Sequence, residues 1–451
     1  MNADKYGSGF SSVVEKFVFG ALLALIAIAA IPYGTVEPWW KAAFVCAVFA
    51  ICILAIVESL ISGSLKFENG SILLPMLALS ALAFVQSLSF GSHEAGGLTV
   101  WNTISTDAYQ TRFFALQMLA LTAFLALLYR YARTERRIRV LVYTILAVAL
   151  ASALFGILRQ STQQQMGFVL PLLKPNQGYG QFINKNHFAY LMEMAFGVGL
   201  GMLIGRLRRD RLLMEIALLL PIWVALVLSN SRGGTLAMLT QIVVAALMLL
   251  SLPRLSHEFP RMMLSPVLKI VLVGVLLAGV LVGTFWVGGD RLAENFQGAT
   301  SEFDANATNN GVSRNEIWRA TLKMFAAHPL AGVGLGGYWT GITAHHDASG
   351  LMTPQEAHND YFELLSSGGV IGLAIGIWFA VAVIRKARAN ILTANGYLVA
   401  VRLGAILGLV GVAAHSLVDF GLHMLVNAVV FLALIALATG AVSSDLQDAR
   451  D

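Results

Sequence analysis

Six basic side chains and one histidine stand where chemistry could use them. Arg232 lies in Ser229-Asn230-Ser231-Arg232-Gly233-Gly234, a polar turn between two apolar runs. Arg159, Lys174, Lys185, Arg314 and Arg319 fall in other polar stretches which, counted along the chain, lie on the same side. A guanidinium is a rigid fork of five donors that suits a phosphate or diphosphate. One such arginine alone more often snorkels or balances a local charge; several converging on one face favour an anionic ligand. His358 stands in Glu356-Ala357-His358-Asn359-Asp360-Tyr361. An imidazole can accept a proton from a hydroxyl at neutral pH, which is the work of a general base. Asn359 or Asp360 could equally cap a helix there by accepting its first free N–H groups, and the two readings are compatible. A place near a helix N-terminus, with arginines nearby, would keep that imidazole neutral, as a base requires.

Other polar groups carry less. Adjacent His345 and His346, followed by Asp347, lack metal-ligand spacing, and the polar connections offer no spaced His/Asp/Glu set along the chain, so no metal is expected. His415, Asp419 and His423 form a second polar group that could line the same cavity or solvate a turn. Gly332-Val333-Gly334-Leu335-Gly336-Gly337 is a literal G-x-G-x-x-G, but no strand precedes it, so the dinucleotide reading fails and tight packing of backbone is expected instead. With no P-loop in the sequence, no cofactor is expected and the energy for a reaction must arrive in the substrate.

What must position these groups is a membrane. Of 451 residues, 57% are hydrophobic and 12% charged, with mean hydropathy +0.73; a soluble chain carries about twice that charge. The net charge of +5 comes in short basic clusters between apolar runs, which argues orientation in a bilayer and against nucleic acid. Apolar runs long enough to span, at roughly twenty residues each, fall near 17–33, 39–62, 72–89, 112–130, 138–158, 187–205, 212–229, 235–252, 267–287, 367–385, 397–416 and 425–442. This predicts an all-α polytopic membrane protein of about 12 transmembrane helices, a single integral membrane domain over 1–451. The basic links (Arg130, Arg133, Arg136, Arg137 and Arg139; Arg206 to Arg211; Arg254, Arg261 and Lys269; Arg385, Lys386 and Arg388) all fall on alternate connections. The positive-inside rule makes that side cytoplasmic, with both termini, in an inner membrane. The opposite connections include 288–366, too long for a passive link; within it Ile317, Trp318, Leu322 and Phe325 make an apolar stripe beside Arg314, Arg319 and Lys323, the pattern of an interfacial helix. Cys46 and Cys52 share one run and point to different faces, so no disulfide is expected.

Several of these stretches are similar to a known family. Ser313-Arg314 to Trp318, Pro329-Leu330-Ala331-Gly332-Val333-Gly334, Ala357-His358-Asn359-Asp360-Tyr361 and Gly368-Gly369 to Gly372-Leu373 resemble the O-antigen ligase and O-antigen polymerase superfamily. So do Gly180-Gln181-Phe182-Ile183-Asn184-Lys185-Asn186-His187-Phe188-Ala189 and Ser231-Arg232-Gly233 upstream. The resemblance covers roughly residues 178–375; the N-terminal third shares only hydropathy. It implies a membrane-embedded, GT-C-like glycosyltransferase, metal-independent and inverting, with a large periplasmic loop that contributes to the active site. The donor would be a glycan on a polyprenyl (undecaprenyl) diphosphate, and the acceptor lipid A–core for a ligase or a second carrier-linked glycan for a polymerase. Carried over by position, Arg232 and Arg314 would hold the diphosphate and His358 would be the base. Arg159 and Lys185 join the diphosphate group from topology alone, and Asn186, Asn359, Asp360 and Trp318 are expected to support the site. A transporter of anionic lipid-linked glycans is the alternative of another class; it would carry ionisable groups near the centre of its spans.

Overall fold

The computed structural model describes residues 3–31, 37–63, 69–162, 178–206, 212–251, 314–346 and 354–442, together with Gly274 and Val282. The first half of the chain forms α1 (Ala3–Ala30), α2 (Pro38–Ser62), α3 (Gly70–Gln86), a hairpin of β1 (Ser89–Ala95) and β2 (Leu98–Thr103), α4 (Ala108–Tyr131) and α5 (Glu135–Ser161). There follow α6 (Lys185–Arg206), α7 (Leu212–Leu228) and α8 (Arg232–Ser251). The last part comprises α9 (Arg314–Ala327), the short α10 (Tyr338–Ile342), α11 (Asp360–Thr393), α12 (Tyr397–His415), a 3-10 turn (Gly421–His423) and α13 (Leu425–Thr439).

Seven of the described helices, α1, α2, α4, α5, α6, α11 and α12, are long and apolar enough to cross a bilayer, and the shorter apolar α3, α7, α8 and α13 pack among them. The chain is an all-α polytopic membrane protein. Eleven of the twelve expected spans coincide with these helices; the run 267–287, apart from Gly274 and Val282, lies outside the described residues. The hairpin was not expected within the 90–111 connection. Its signal is local: Gly96 and Gly97 have φ of 61° and 80°, the left-handed pair that a two-residue turn between Ala95 and Leu98 demands.

Lipid gives apolar helices no reason to associate by hydrophobicity, so close backbone contact has to do it. α6 and α12 cross antiparallel on small residues. A Cβ at Gly197 would come within 2.4 Å of Gly408, one at Gly201 within 2.1 Å of Gly404, and one at Gly205 within 2.5 Å of Ala400. α13 is buried along nearly its whole length, and its Asn427 donates to the carbonyls of His187 and Gly421 at 3.0 Å each.

The two ends of this bundle differ in chemistry. At one, Glu58 accepts from Ser11 and Arg130 at 2.7 Å each, Arg137 pairs with Glu15 at 3.0 Å, and Tyr129 bonds Thr439 at 2.6 Å. The N-terminal part of α1 and the C-terminal end of α13 thus share the end that carries the basic links. At the other end the polar connections gather. There Gln86 holds the glycine-rich loop: its amide donates to Ala331 and Ser367 carbonyls (2.6 and 2.9 Å) and accepts from Leu335 N–H (3.0 Å). Gly332 and Gly334 have φ of 66° and 100°, and their backbones lie against Ser367 and Ser105 where a side chain would collide. Packing, not nucleotide binding, accounts for that motif.

α9 forms where its amphipathic pattern predicts, but its apolar stripe is divided. Ile317 is buried together with Ala320, Thr321 and Met324, and Ala320 and Met324 join a small core with Val333, Tyr338, Ile342 and Ala357. Leu322 faces outward. α9 is therefore docked on α10 and α11 by one face. The parts of the 288–366 connection before Arg314 and from 347 to 353 lie outside the described residues.

Candidate functional site

His358 lies two residues before α11, next to the residue that caps it. Asn359 caps that helix, its Oδ1 accepting from the N–H groups of Tyr361 and Phe362 at 3.0 Å each, while its Nδ2 donates to the Leu417 carbonyl at 2.8 Å. Asp360 accepts from Ser416 Oγ at 2.6 Å, and its N–H donates to the Ser416 carbonyl at 3.0 Å. These bonds tie the start of α11 to the 416–424 turn. Between them His358 is held at φ 49°, a strained setting for a side-chain-bearing residue and one common at functional positions.

The turn presents Asp419 to His358. Asp419 Oδ1 lies 3.5 Å from His358 Nδ1, an ion-pair distance a little long for a completed hydrogen bond, and that buried nitrogen has no hydrogen-bond partner among the described residues. Asp419 Oδ2 accepts from Asn186 Nδ2, and Asn186 Oδ1 accepts from Ser231 Oγ at 2.8 Å. One polar chain, Ser231–Asn186–Asp419–His358, thus joins the turn before α8, the start of α6, the α12–α13 connection and the start of α11. Burial alone would favour the neutral acid at Asp419. The surrounding His358, His187 and His415 outweigh it and hold the carboxyl well below its usual range.

Arg232 is half-buried as the first residue of α8, directly after Ser231. Arg314 is half-buried as the first residue of α9, one helical turn before Trp318 and on the same face. Trp318 Nε1 donates to the Ala357 carbonyl at 3.0 Å and its ring meets Phe362 edge-on at 5.7 Å, which docks α9 beside His358. Lys185 is half-buried beside Asn186. Arg159 is placed differently. It is 1% exposed at the end of α5, and its Nη1 donates to the Gly180 carbonyl at 2.8 Å, so it braces the turn before α6 from inside.

A second cluster adjoins the first. His423 lies 3.3 Å from Glu356, 3.4 Å from Glu363 and 3.7 Å from Asp360. Burial opposes a charge on this imidazole, but Glu363, Glu356 and Asp360 push its pKa up to about 10. Burial likewise opposes ionisation of Glu356, yet His423 and its other partners hold it down at about 2. Ligand atoms of Glu356, Glu363 and His423 lie within 4.8 Å of one another, close enough to hold a cation. This corrects the expectation that no such set exists: one glutamate precedes α11, the other sits in its first turn, and the histidine comes from the α12–α13 connection. His345 and His346 take no part in it. Phe420 stands between the clusters, meeting His187 and His358 edge-on at 4.8 Å each and His423 at 5.8 Å.

Residues 216–377 match a family model described as O-antigen ligase. This stretch is similar to the O-antigen ligase family. No curated protein matches the chain. The family implies a glycosyltransferase-type enzyme acting on a lipid-linked glycan and a glycan acceptor. The O-antigen ligase stretch contains Arg232, Arg314 and His358 but ends before Asp419 and His423 and begins after Asn186, so the fold completes the site from both sides of it.

Proposed function

We propose that the chain transfers a glycan from a polyprenyl (undecaprenyl) diphosphate carrier to a hydroxyl of lipid A–core, at the end of the bundle opposite its basic links. That end is the periplasmic face of a bacterial inner membrane in this reading, and both termini are cytoplasmic. The observation that carries it is the polar chain from Ser231 to His358, with Arg232 and Arg314 each at the first residue of a helix beside it.

His358 takes the proton from the acceptor hydroxyl while Asp419 orients the ring and balances the imidazolium that forms. The acceptor oxygen attacks the anomeric carbon from the face opposite the leaving group. The new C–O bond forms as the carbon–phosphate-oxygen bond breaks, with inversion, and the electron pair leaves on the carrier diphosphate. Arg232 and Arg314, with Lys185 nearby, meet that growing charge with fixed positive charge, so no step requires a metal ion. Asn186, Asn359, Asp360 and Trp318 hold the geometry. Arg159 supports the turn that carries Asn186 into place.

Purified protein supplied with carrier-linked glycan and lipid A–core should yield glycan-bearing lipid A–core. Deletion of the gene should leave long chains on the carrier. Single repeat units on core would assign the chain to polymerisation of carrier-linked repeats instead, and unchanged glycans with altered carrier sidedness would assign transport.

A further inference from the structure

A buried acid–histidine pair lies outside this scheme. Glu193 Oε2 and His415 Nδ1 are 2.8 Å apart and both side chains are fully buried. Glu193 is eight residues into α6, about 12 Å along its axis. Ion pairs sealed this deeply are poor sources of stability, since desolvation opposes the attraction, so another reason for the pair is needed.

The neighbours of the His415 ring supply one. It stacks on Tyr190 of α6 with centroids 4.0 Å apart and 17° between planes. On another side it meets the first turn of α8: a Cβ at Gly233 would fall 2.3 Å from His415 Nε2. The His415 carbonyl accepts from the N–H groups of Val418 and Asp419 at 2.9 and 3.1 Å, shaping the turn that presents Asp419. Tyr190 bonds Ser416 at 3.3 Å, and a Cβ at Gly421 would strike the Tyr190 ring at 2.2 Å. One imidazole therefore touches the element that starts with Arg232 and belongs to the segment that ends in Asp419. Its Nε2 is buried without a hydrogen-bond partner among the described residues. A proton there would be an unsatisfied donor facing the N–H end of α8, so the network places the proton on Nδ1, toward Glu193.

We propose that Glu193 and His415 are a positioning pair: Glu193 fixes the imidazole through Nδ1, and the ring sets the separation between the α8 N-terminus with Arg232 and the turn with Asp419. Its effect on turnover rests on the function proposed above; its effect on the two segments does not.

The test uses the purified full-length chain, with amide hydrogen exchange beside donor kinetics. Glu193→Leu removes the acceptor of the Nδ1 proton, whereas Glu193→Gln keeps an oxygen in its place. The leucine variant should speed exchange in 229–236 and 416–421 about tenfold, the scale of one lost buried hydrogen bond, with α2 and α4 unaffected. It should raise KM for carrier-linked donor by a similar factor, while glutamine stays within about threefold of wild type in both readouts. Gly233→Ala presses on the ring without removing a polar group and should reproduce the exchange result, which serves if the leucine variant does not fold. Wild-type exchange in these segments in both Glu193→Leu and Gly233→Ala overturns the proposal. So does Glu193→Gln behaving like leucine, because charge and not geometry would then be at work. If exchange changes as expected but even wild type fails to turn over carrier-linked donor, positioning stands and the proposed function falls.

Discussion

His358 Nδ1 faces Asp419 Oδ1 across 3.5 Å, and the two residues, 61 positions apart in the chain, arrive there from different connections. A small shift of either would complete the hydrogen bond, and catalytic contacts are often long before substrate binds. His358→Gln keeps a hydrogen-bonding side chain but cannot take the proton, so turnover should fall by about a hundredfold or more while donor binding persists. Asp419→Asn should lose turnover too, with the ring no longer steered or balanced. Robust transfer by purified His358→Gln would end the assignment of the base.

Arg232 and Arg314 are each expected to clamp the diphosphate with a fork. Lysine keeps the charge and loses the fork, so Arg232→Lys or Arg314→Lys should weaken donor use about tenfold or more, the scale of one charged hydrogen bond. Thermal unfolding of both variants should match wild type. Full activity in either would mean that the arginine only balances local charge.

The cation-capable set invites a direct trial. If the fixed arginines supply all the positive charge that the leaving group needs, turnover persists in excess chelator. Loss of activity in EDTA, restored by one divalent ion and abolished by Glu356→Gln, would overturn this and make Glu356, Glu363 and His423 the ligands.

The same cluster has a pH signature. His423, raised to about 10, stabilises the fold fully below its ordinary 6.5 and loses that contribution as pH climbs toward 10. Glu356, lowered to about 2, contributes fully above its ordinary 4.5 and less as pH falls toward 2. The gap in melting temperature between wild type and His423→Gln should therefore be widest between these ordinary values, at 4.5 to 6.5, and narrow on both sides. A third of the His423 side chain is exposed, so solvent screens the pair and the gap is small. A gap that stays constant as pH rises past neutral to about 10 would contradict the account.

Orientation can be read by labelling, in a background with Cys46 and Cys52 replaced. A cysteine at exposed Leu330 should react with an impermeant thiol reagent in whole outer-permeabilised cells, and one at exposed Arg136 only once the inner membrane is opened. The reverse pattern would place the site in the cytoplasm.

Hydropathy made the helices legible because lipid imposes length and apolarity on each span separately. Arg232, Arg314 and His358 were visible as local anomalies in otherwise regular text. Asp419 was visible only as a polar residue of undecided use, since its meaning depends on Asn186 and His358 arriving from distant segments. Glu356 and Glu363 carried no signal of their own for the same reason. Arg159 shows the converse: chain order placed it on the right side, but only packing reveals that its guanidinium turns inward to Gly180. His415 stood out as part of a polar group, but its partner Glu193 left no signal, because one glutamate in an apolar run has no pattern.

One feature of α11 bears on how the protein works in a fluctuating bilayer. Gly369 has φ 63° and ψ −164°, in a region open essentially to glycine alone, and a Cβ there would lie 2.2 Å from the Leu330 carbonyl. The carbonyls of Pro329 and Leu330 stitch the break closed, accepting from the N–H groups of Val370 and Ile371 at 2.8 and 3.2 Å. The long helix is therefore two rods with a joint. When lipid thickness tilts the longer rod, which runs from 370 toward the basic links, the angle is expected to be taken up at the joint, while the short rod that begins beside His358 stays with Asp419. On the function proposed above, the proposed base is thus held by its own short rod and not by the one that follows the bilayer.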